Sequence, residues 1–379
     1  MDRLQKSKLL IVDDSAFMRK LIGDFFVGNS KVVVVGTARN GKDAIRKIQQ
    51  LQPDVVTMDV EMPEMDGLEA LKEIMTICPV PVVMLSSTTR NGTDTTMMAM
   101  EYGAVDFVAK PSGTISLDLH KIRDELVHKV EHAAYVSIKK LKKPISTKKP
   151  SSGTAVSIPS RLERKISISQ PKLHKPFQPP LKREWSRTSR KIVLIGTSTG
   201  GPRALQEVIT KIPSDIQAPI LIVQHMPAGF TKSLAARLDQ LSAIKVKEAE
   251  QGDILLNGVA YIAPGGYHMK LRKVGTSFGI VLDQKEPPRS GHRPSVDVMF
   301  EDVSKHHDFD KIAVIMTGMG YDGSKGLVAL KQTGNVMAIA ESADTCIVYG
   351  MPKAAVETQL VDEVADVDDI AQSIMKYML

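Results

Sequence analysis

Two groups of residues in this chain could do chemistry. The first is acidic. Asp13 and Asp14 follow the apolar run LLIV, Asp59 closes VVTM, Ser86 and Ser87 close VVML, and Phe107 leads into Lys110 at the end of FVAK. Carboxylates brought together repel one another unless a cation joins them, and Mg²⁺ takes a few carboxylate oxygens along with water and phosphate oxygens. The reaction that suits this set is phosphoryl transfer. Asp59 would be the nucleophile, Mg²⁺ and Lys110 would offset charge on the transferred group, and the Ser86 hydroxyl would meet a phosphoryl oxygen. One added negative charge can draw the serine loop inward and re-pose Phe107.

The second group begins at GTSTGGP, residues 196–202, between an apolar run and a helical stretch. As a dinucleotide loop it has Ser198 where a second glycine would let backbone approach a pyrophosphate. As GxSxG it is a nucleophile elbow, with a hydroxyl at a strand end and helix N-terminal amides near an oxyanion. A nucleophilic serine needs a base and an orienting acid. Of nine histidines, His225 ends the run PILIVQ at the corresponding edge, with His268 and His292 in reserve. His120, His128 and His132 belong to an earlier helix, and His174 to a linker. Asp322, in TGMGYDG after IAVIM, is the acid. Each residue also has a plainer reading. Aspartates at strand ends cap helices, Lys110 before Pro111 makes a turn, Asp322 is a turn aspartate, and small residues suit tight turns.

The elements that must position these residues follow from periodicity. Lys8 to Val12, Lys31 to Val35, Asp54 to Met58, Val80 to Leu85 and Val105 to Ala109 are short, apolar and β-branched, and they alternate with amphipathic stretches. That pattern predicts a five-stranded parallel sheet covered on both faces, a flavodoxin-like domain with its ligands beyond the carboxyl ends of the strands. The rhythm returns in Ile192 to Ile195, Pro219 to Val223, Val259 to Ala263, Ile312 to Met316 and Asn335 to Ala340, predicting a second, Rossmann-like α/β domain. Between them, residues 139–190 carry 15 Lys or Arg against Glu163 and Glu184, with seven prolines and no sustained periodicity. The expected boundaries are 1–126 for the first domain, 127–190 for a helix end and basic linker, and 191–379 for the second.

The linker also settles the charge. Its surplus of +13 exceeds the chain's net +7, so the folded parts are acidic overall and the basic excess is a tether, not a nucleic-acid groove. At 42% hydrophobic and 25% charged residues, the 379-residue chain can bury two cores. No apolar run reaches the ~20 residues of a membrane span and no secretory leader is visible, so a cytoplasmic protein is expected. Cys78 and Cys346 stand alone, without zinc or disulfide spacing.

LIVDDS, MDVEMPEMDG, LSS and FVAKP, in that order, resemble the receiver domain of two-component response regulators. GTSTGGP, QHMP, TGMGYDG and TCIVYGMP, in order behind it, resemble the chemotaxis protein-glutamate methylesterases. The first resemblance implies phosphorylation of Asp59 by a histidine kinase. It also implies Mg²⁺ held by Asp13, Asp14, Asp59 and the Glu61 carbonyl, Ser86 as the switch hydroxyl, Phe107 as the switch aromatic, and a cis bond into Pro111. The second implies hydrolysis of glutamate γ-methyl esters, and deamidation of glutamines, on chemoreceptors. Ser198, His225 and Asp322 would be the triad, no cofactor would serve the ester chemistry, and the protein would associate with receptor arrays. Thr199 and Met319, adjacent to the catalytic turns, are candidate oxyanion donors. The unphosphorylated receiver is expected to obstruct the second domain. A DNA-binding reader would need a helix-turn-helix after the linker, a nicotinamide enzyme would bind its cofactor, and a scaffold module would lack Ser198-dependent hydrolysis.

Overall fold

The structure, a computed structural model, describes residues 6–110, 118–141, 185 and 189–378. The first sheet contains β1 (Ser7–Val12), β2 (Val32–Ala38), β3 (Val55–Asp59), β4 (Val82–Ser86) and β5 (Asp106–Ala109), in the order β2-β1-β3-β4-β5 with every pair parallel. Between and after these strands come α1 (Ala16–Phe25), α2 (Gly41–Leu51), α3 (Gly67–Ile77), α4 (Arg90–Glu101) and α5 (Asp118–Ala133), then one turn of helix, α6 (Ile138–Leu141). This is the expected flavodoxin-like arrangement. Polar side chains start four of the helices: Ser15, Asn40, Asp66 and Thr89 each accept an amide of the first turn.

The second domain has one seven-stranded parallel sheet in the order β14-β13-β12-β6-β7-β9-β8, with a hairpin outside it. Its strands are β6 (Lys191–Thr197), β7 (Ile220–Gln224), β8 (Lys245–Glu248), β9 (Val259–Ile262), β12 (Asp310–Ile315), β13 (Val336–Glu341) and β14 (Glu363–Ala365), and the hairpin is β10 (His268–Val274) with β11 (Ser277–Asp283). Its helices are α7 (Gly201–Ile209), α8 (Phe230–Leu241), α9 (Val296–Ser304), α10 (Ser324–Thr333), α11 (Met351–Glu357) and α12 (Val367–Lys376). All five runs read from the sequence are strands of this sheet. The hairpin and the short strands β8 and β14 are additional.

Chain order reverses on either side of β6, because β7 lies next to it on one flank and β12 on the other. Loops leaving adjacent strand ends there diverge and open a crevice. Four helices around this rim, α7, α8, α10 and α11, start on a glycine with no side-chain cap. Their first amides are left to other partners.

The two domains touch along one face. Phe107 of β5 is buried and stacks on Phe230 of α8, with ring centroids 4.4 Å apart. Arg237 grips Glu101 with two hydrogen bonds of 2.5 and 2.8 Å, and the Thr93 and Ser233 hydroxyls pair at 2.9 Å. The Arg203 guanidinium donates to the Leu141 carbonyl at 2.6 Å.

Candidate functional site

In the first domain, Asp13 and Asp59 are buried and Asp14 is exposed, each at a strand end. Their carboxylate oxygens lie within 4.8 Å of one another, and Lys110 bridges Asp13 at 2.9 Å and Asp59 at 2.7 Å. Burial pushes Asp59 up to about 6 against the pull of Lys110, with the Asp13 charge adding to the rise. Three hard oxygen donors with one edge open fit a divalent ion of the Mg²⁺ type. Glu61, the remaining expected ligand, is exposed two residues on, and its amide reaches Asp59 Oδ1 at 3.4 Å. The Ser86 hydroxyl is turned inward, donating to the Gly92 carbonyl at 3.0 Å and accepting from Thr96 at 2.6 Å. The bond into Pro111 lies outside the described residues.

In the second domain, register brings the serine and the histidine side by side. Thr197 pairs with Gln224 across β6 and β7, so Ser198 and His225 leave adjacent strands at the same level. The Gln224 amide clamps them, donating to the carbonyls of Ser198 at 2.9 Å and His225 at 3.2 Å. Gly201 makes room for this clamp, since a Cβ there would sit 1.9 Å from Gln224 Oε1. Asp322 comes from the loop after β12, on the other flank of β6, and its Oδ2 takes a hydrogen bond from His225 Nε2 at 2.8 Å.

Asp322 is not capping its own helix, as a turn aspartate would. It accepts the Val296 and Asp297 amides at 2.7 and 2.9 Å and the Ser295 hydroxyl at 2.9 Å, at the N-terminus of α9. Burial works against its charge, but the His225 hydrogen bond and these amides outweigh it and hold the carboxyl below its ordinary value. Asp297 supports the same turn by accepting the Gly323 and Gly326 amides, and burial pushes it up to about 6.

With Nε2 engaged, the His225 Nδ1 is buried and has no hydrogen-bond partner among the described residues. An imidazole that donates through one nitrogen offers a lone pair on the other. The Ser198 hydroxyl also makes no hydrogen bond among the described residues, so two of the three expected triad members are joined by a bond and the third stands beside them. Of the reserves, His292 stacks on His225 almost face to face, with centroids 3.8 Å apart, and burial with the adjacent His225 holds it down at about 3. His268 is buried in β10 against the Pro287 carbonyl.

Thr199 and Met319 flank the crevice, and their amides have no acceptor among the described residues. The Thr199 hydroxyl donates to Asp106 of the first domain at 2.5 Å. Asp106 in turn pairs with Lys129 at 3.2 Å. Sequence reading missed this cross-domain carboxylate, along with Gln224, Ser295 and Asp297. Gln224 stands inside QHMP and carried that signal; the others look like ordinary strand or helix starts.

Residues 9–120 match the response regulator receiver domain, and residues 193–374 match the CheB methylesterase domain. The two matches therefore define a receiver domain joined to a hydrolase domain. A protein-glutamate methylesterase/protein-glutamine glutaminase of Halalkalibacterium halodurans is 53% identical over 97% of both chains, and one of Bacillus subtilis is 50% identical over the same shares. The crystal structure of the Thermotoga maritima CheB methylesterase catalytic domain is 43% identical, covering 50% of this chain and 99% of its own, with a TM-score of 0.48. The chain belongs to the protein-glutamate methylesterase/protein-glutamine glutaminase family.

Proposed function

We propose that this protein removes methyl groups from glutamate γ-methyl esters of chemoreceptors, and deamidates receptor glutamines, under control of phosphorylation at Asp59. Ser198 Oγ bonds the γ-carbonyl carbon while His225 Nδ1 takes the hydroxyl proton. Asp322 holds the ring through Nε2 and stabilises the imidazolium. The oxyanion forms beside the free amides of Thr199 and Met319. Collapse expels methoxide, or the amide nitrogen, which leaves as methanol or ammonia with the His225 proton. Water then attacks the acyl-serine, giving up a proton to His225, and collapse releases the glutamate side chain while His225 returns that proton to the departing Ser198 Oγ. The observation that carries this reading is the His225 to Asp322 hydrogen bond, with the opposite ring nitrogen buried and unpartnered at the strand edge it shares with Ser198.

At the other site Asp59 accepts a phosphoryl group from a histidine kinase, and Asp13, Asp14 and the Glu61 carbonyl would join it around Mg²⁺, which offsets charge on that group. Lys110 holds Asp13 and Asp59 together before transfer. The Phe107, Asp106 and Glu101 contacts hold the receiver against the hydrolase, and phosphorylation releases them. The matching test is methanol release from methylated receptor membranes with and without a small-molecule phosphodonor. Ser198→Ala is expected to abolish release, and Asp59→Ala to keep a basal rate that the phosphodonor does not raise. Release surviving the first change removes the nucleophile from this account, and an undiminished rise after the second removes Asp59 from the switch.

A further inference from the structure

TCIVYGMP, residues 345–352, has no role in the chemistry above, yet it packs directly behind the nucleophile turn. The strand before it, β13, ends on Glu341, a carboxylate 1% exposed. Glu341 Oε2 accepts the Thr317 amide at 2.7 Å, and Oε1 accepts the Thr345 hydroxyl at 3.0 Å. Thr317 is the hub of the crevice. Its carbonyl accepts the Ser198 amide at 3.0 Å and the Thr197 hydroxyl at 3.2 Å. Its hydroxyl donates to the Thr199 carbonyl at 2.9 Å and accepts the Val348 amide at 3.0 Å. Gly318, the next residue, gives its amide to the Val348 carbonyl and takes the amides of Gly350 and Met351 on its own. The turn leading to Met319 is thus clasped between the serine loop and TCIVYGMP.

A buried carboxylate costs folding free energy, and Glu341 makes no ion pair among the described residues, the Lys140 charge acting on it only from a distance. Burial pushes it up to about 7, and the Thr317 and Thr345 donors limit the rise. A cavity of about 260 Å³ lies behind the turn, lined by Gly200, Thr317, Glu341 and Ile347 with Lys140 and Arg203. A Thr317 peptide released from its anchor has this space to relax into, and Ser198 would follow through the carbonyl that holds its amide.

We propose that Glu341 is a positioning residue for ester hydrolysis, fixing Ser198 and the Met319 amide through Thr317. This rests on the reading of Ser198 as nucleophile. The test uses the full chain, saturating phosphodonor and methylated receptor membranes, with kcat and KM measured beside thermal unfolding. Glu341→Ala is expected to lower kcat about 10- to 100-fold while KM stays within about twofold, since about 1 Å of misplacement is felt in the chemical step. Glu341→Gln keeps an acceptor for the Thr317 amide and should restore kcat to within about threefold of the parent. If the alanine variant does not fold, Glu341→Met, which fills the volume without an acceptor, takes its place. Equal loss in the glutamine and acceptor-free variants, a change confined to KM, or an unaltered kcat overturns the role. A Ser198→Ala chain tested alongside separates the two ideas: activity there overturns the nucleophile, whereas a dead Ser198→Ala with a silent Glu341 series overturns Glu341 alone.

Discussion

Asp322 receives four donors on two oxygens: His225 Nε2 and the Val296 amide on Oδ2, and the Ser295 hydroxyl and the Asp297 amide on Oδ1. An asparagine offers one oxygen and puts an NH₂ in place of the other, so two donors lose their acceptor or the imidazole changes tautomer. Asp322→Asn should therefore lower kcat by about 10⁴, as for the orienting acid of a serine triad. It should also cost about 1–3 kcal/mol of stability in urea unfolding. A kcat within about tenfold of the parent would show that the tautomer does not depend on this carboxylate. His292 shows what one-dimensional reading cannot do. It and His225 are separated by 67 positions, yet their rings stack, and the hydrogen bond to Asp322 with the β6 to β7 register marks His225 as the proposed base.

At the scale of elements, the β6 to α7 turn depends on a space that only glycine leaves. A Cβ on Gly201 would sit 1.9 Å from Gln224 Oε1 and 2.2 Å from Thr197 Oγ1. Gly201→Ala should push the Gln224 amide off the Ser198 and His225 carbonyls, lowering kcat by about 10- to 100-fold at a cost of about 1–3 kcal/mol. Adding Gln224→Ala should return part of the lost stability by vacating the space, which a thermal-unfolding double-mutant cycle measures; strict additivity would contradict the clash. The strands that deliver the site were legible because burial on both faces writes them as unbroken apolar runs, as in LLIV, IVLI and IAVIM. Those that escaped notice are edge or hairpin strands with little to bury. β8 reads KVKE with Val246 alone fully buried, β14 has three residues, and β10 alternates Met269 and Leu271 with Lys270 and Arg272. The expected triad members were visible because each lies in the loop that leaves such a run. Glu341 follows one too, but an acid at a strand end reads as a cap, and its partner Thr317 comes from a loop 24 residues earlier.

Across the whole molecule, buried apolar side chains of the two domains join in one cluster where their faces meet. The Arg237 to Glu101 pair is partly exposed and worth about 1 kcal/mol or less, so shape and the Phe107 to Phe230 stack must do much of the holding. A closed state balanced this way can be tipped by one charge change. Asp106→Ala removes the carboxylate that holds the Thr199 hydroxyl, and Arg237→Ala removes the remote ion pair. Each is expected to raise the unphosphorylated rate of methanol release several-fold and to shrink the further gain from phosphodonor. A basal rate unchanged in both would mean that this face does not restrain the hydrolase.

The bond from Asp106 to Thr199 couples the domains in both directions, because binding free energies are reciprocal. If seating the first domain alters how the serine loop meets an acyl group, then a molecule trapped covalently on that loop must alter, by an equal factor, the affinity of the distant aspartate pocket for a phosphoryl mimic. Substrate traffic at one end of the protein would then be reported at the other, and the workload of the hydrolase would enter its own sensitivity to a phosphodonor.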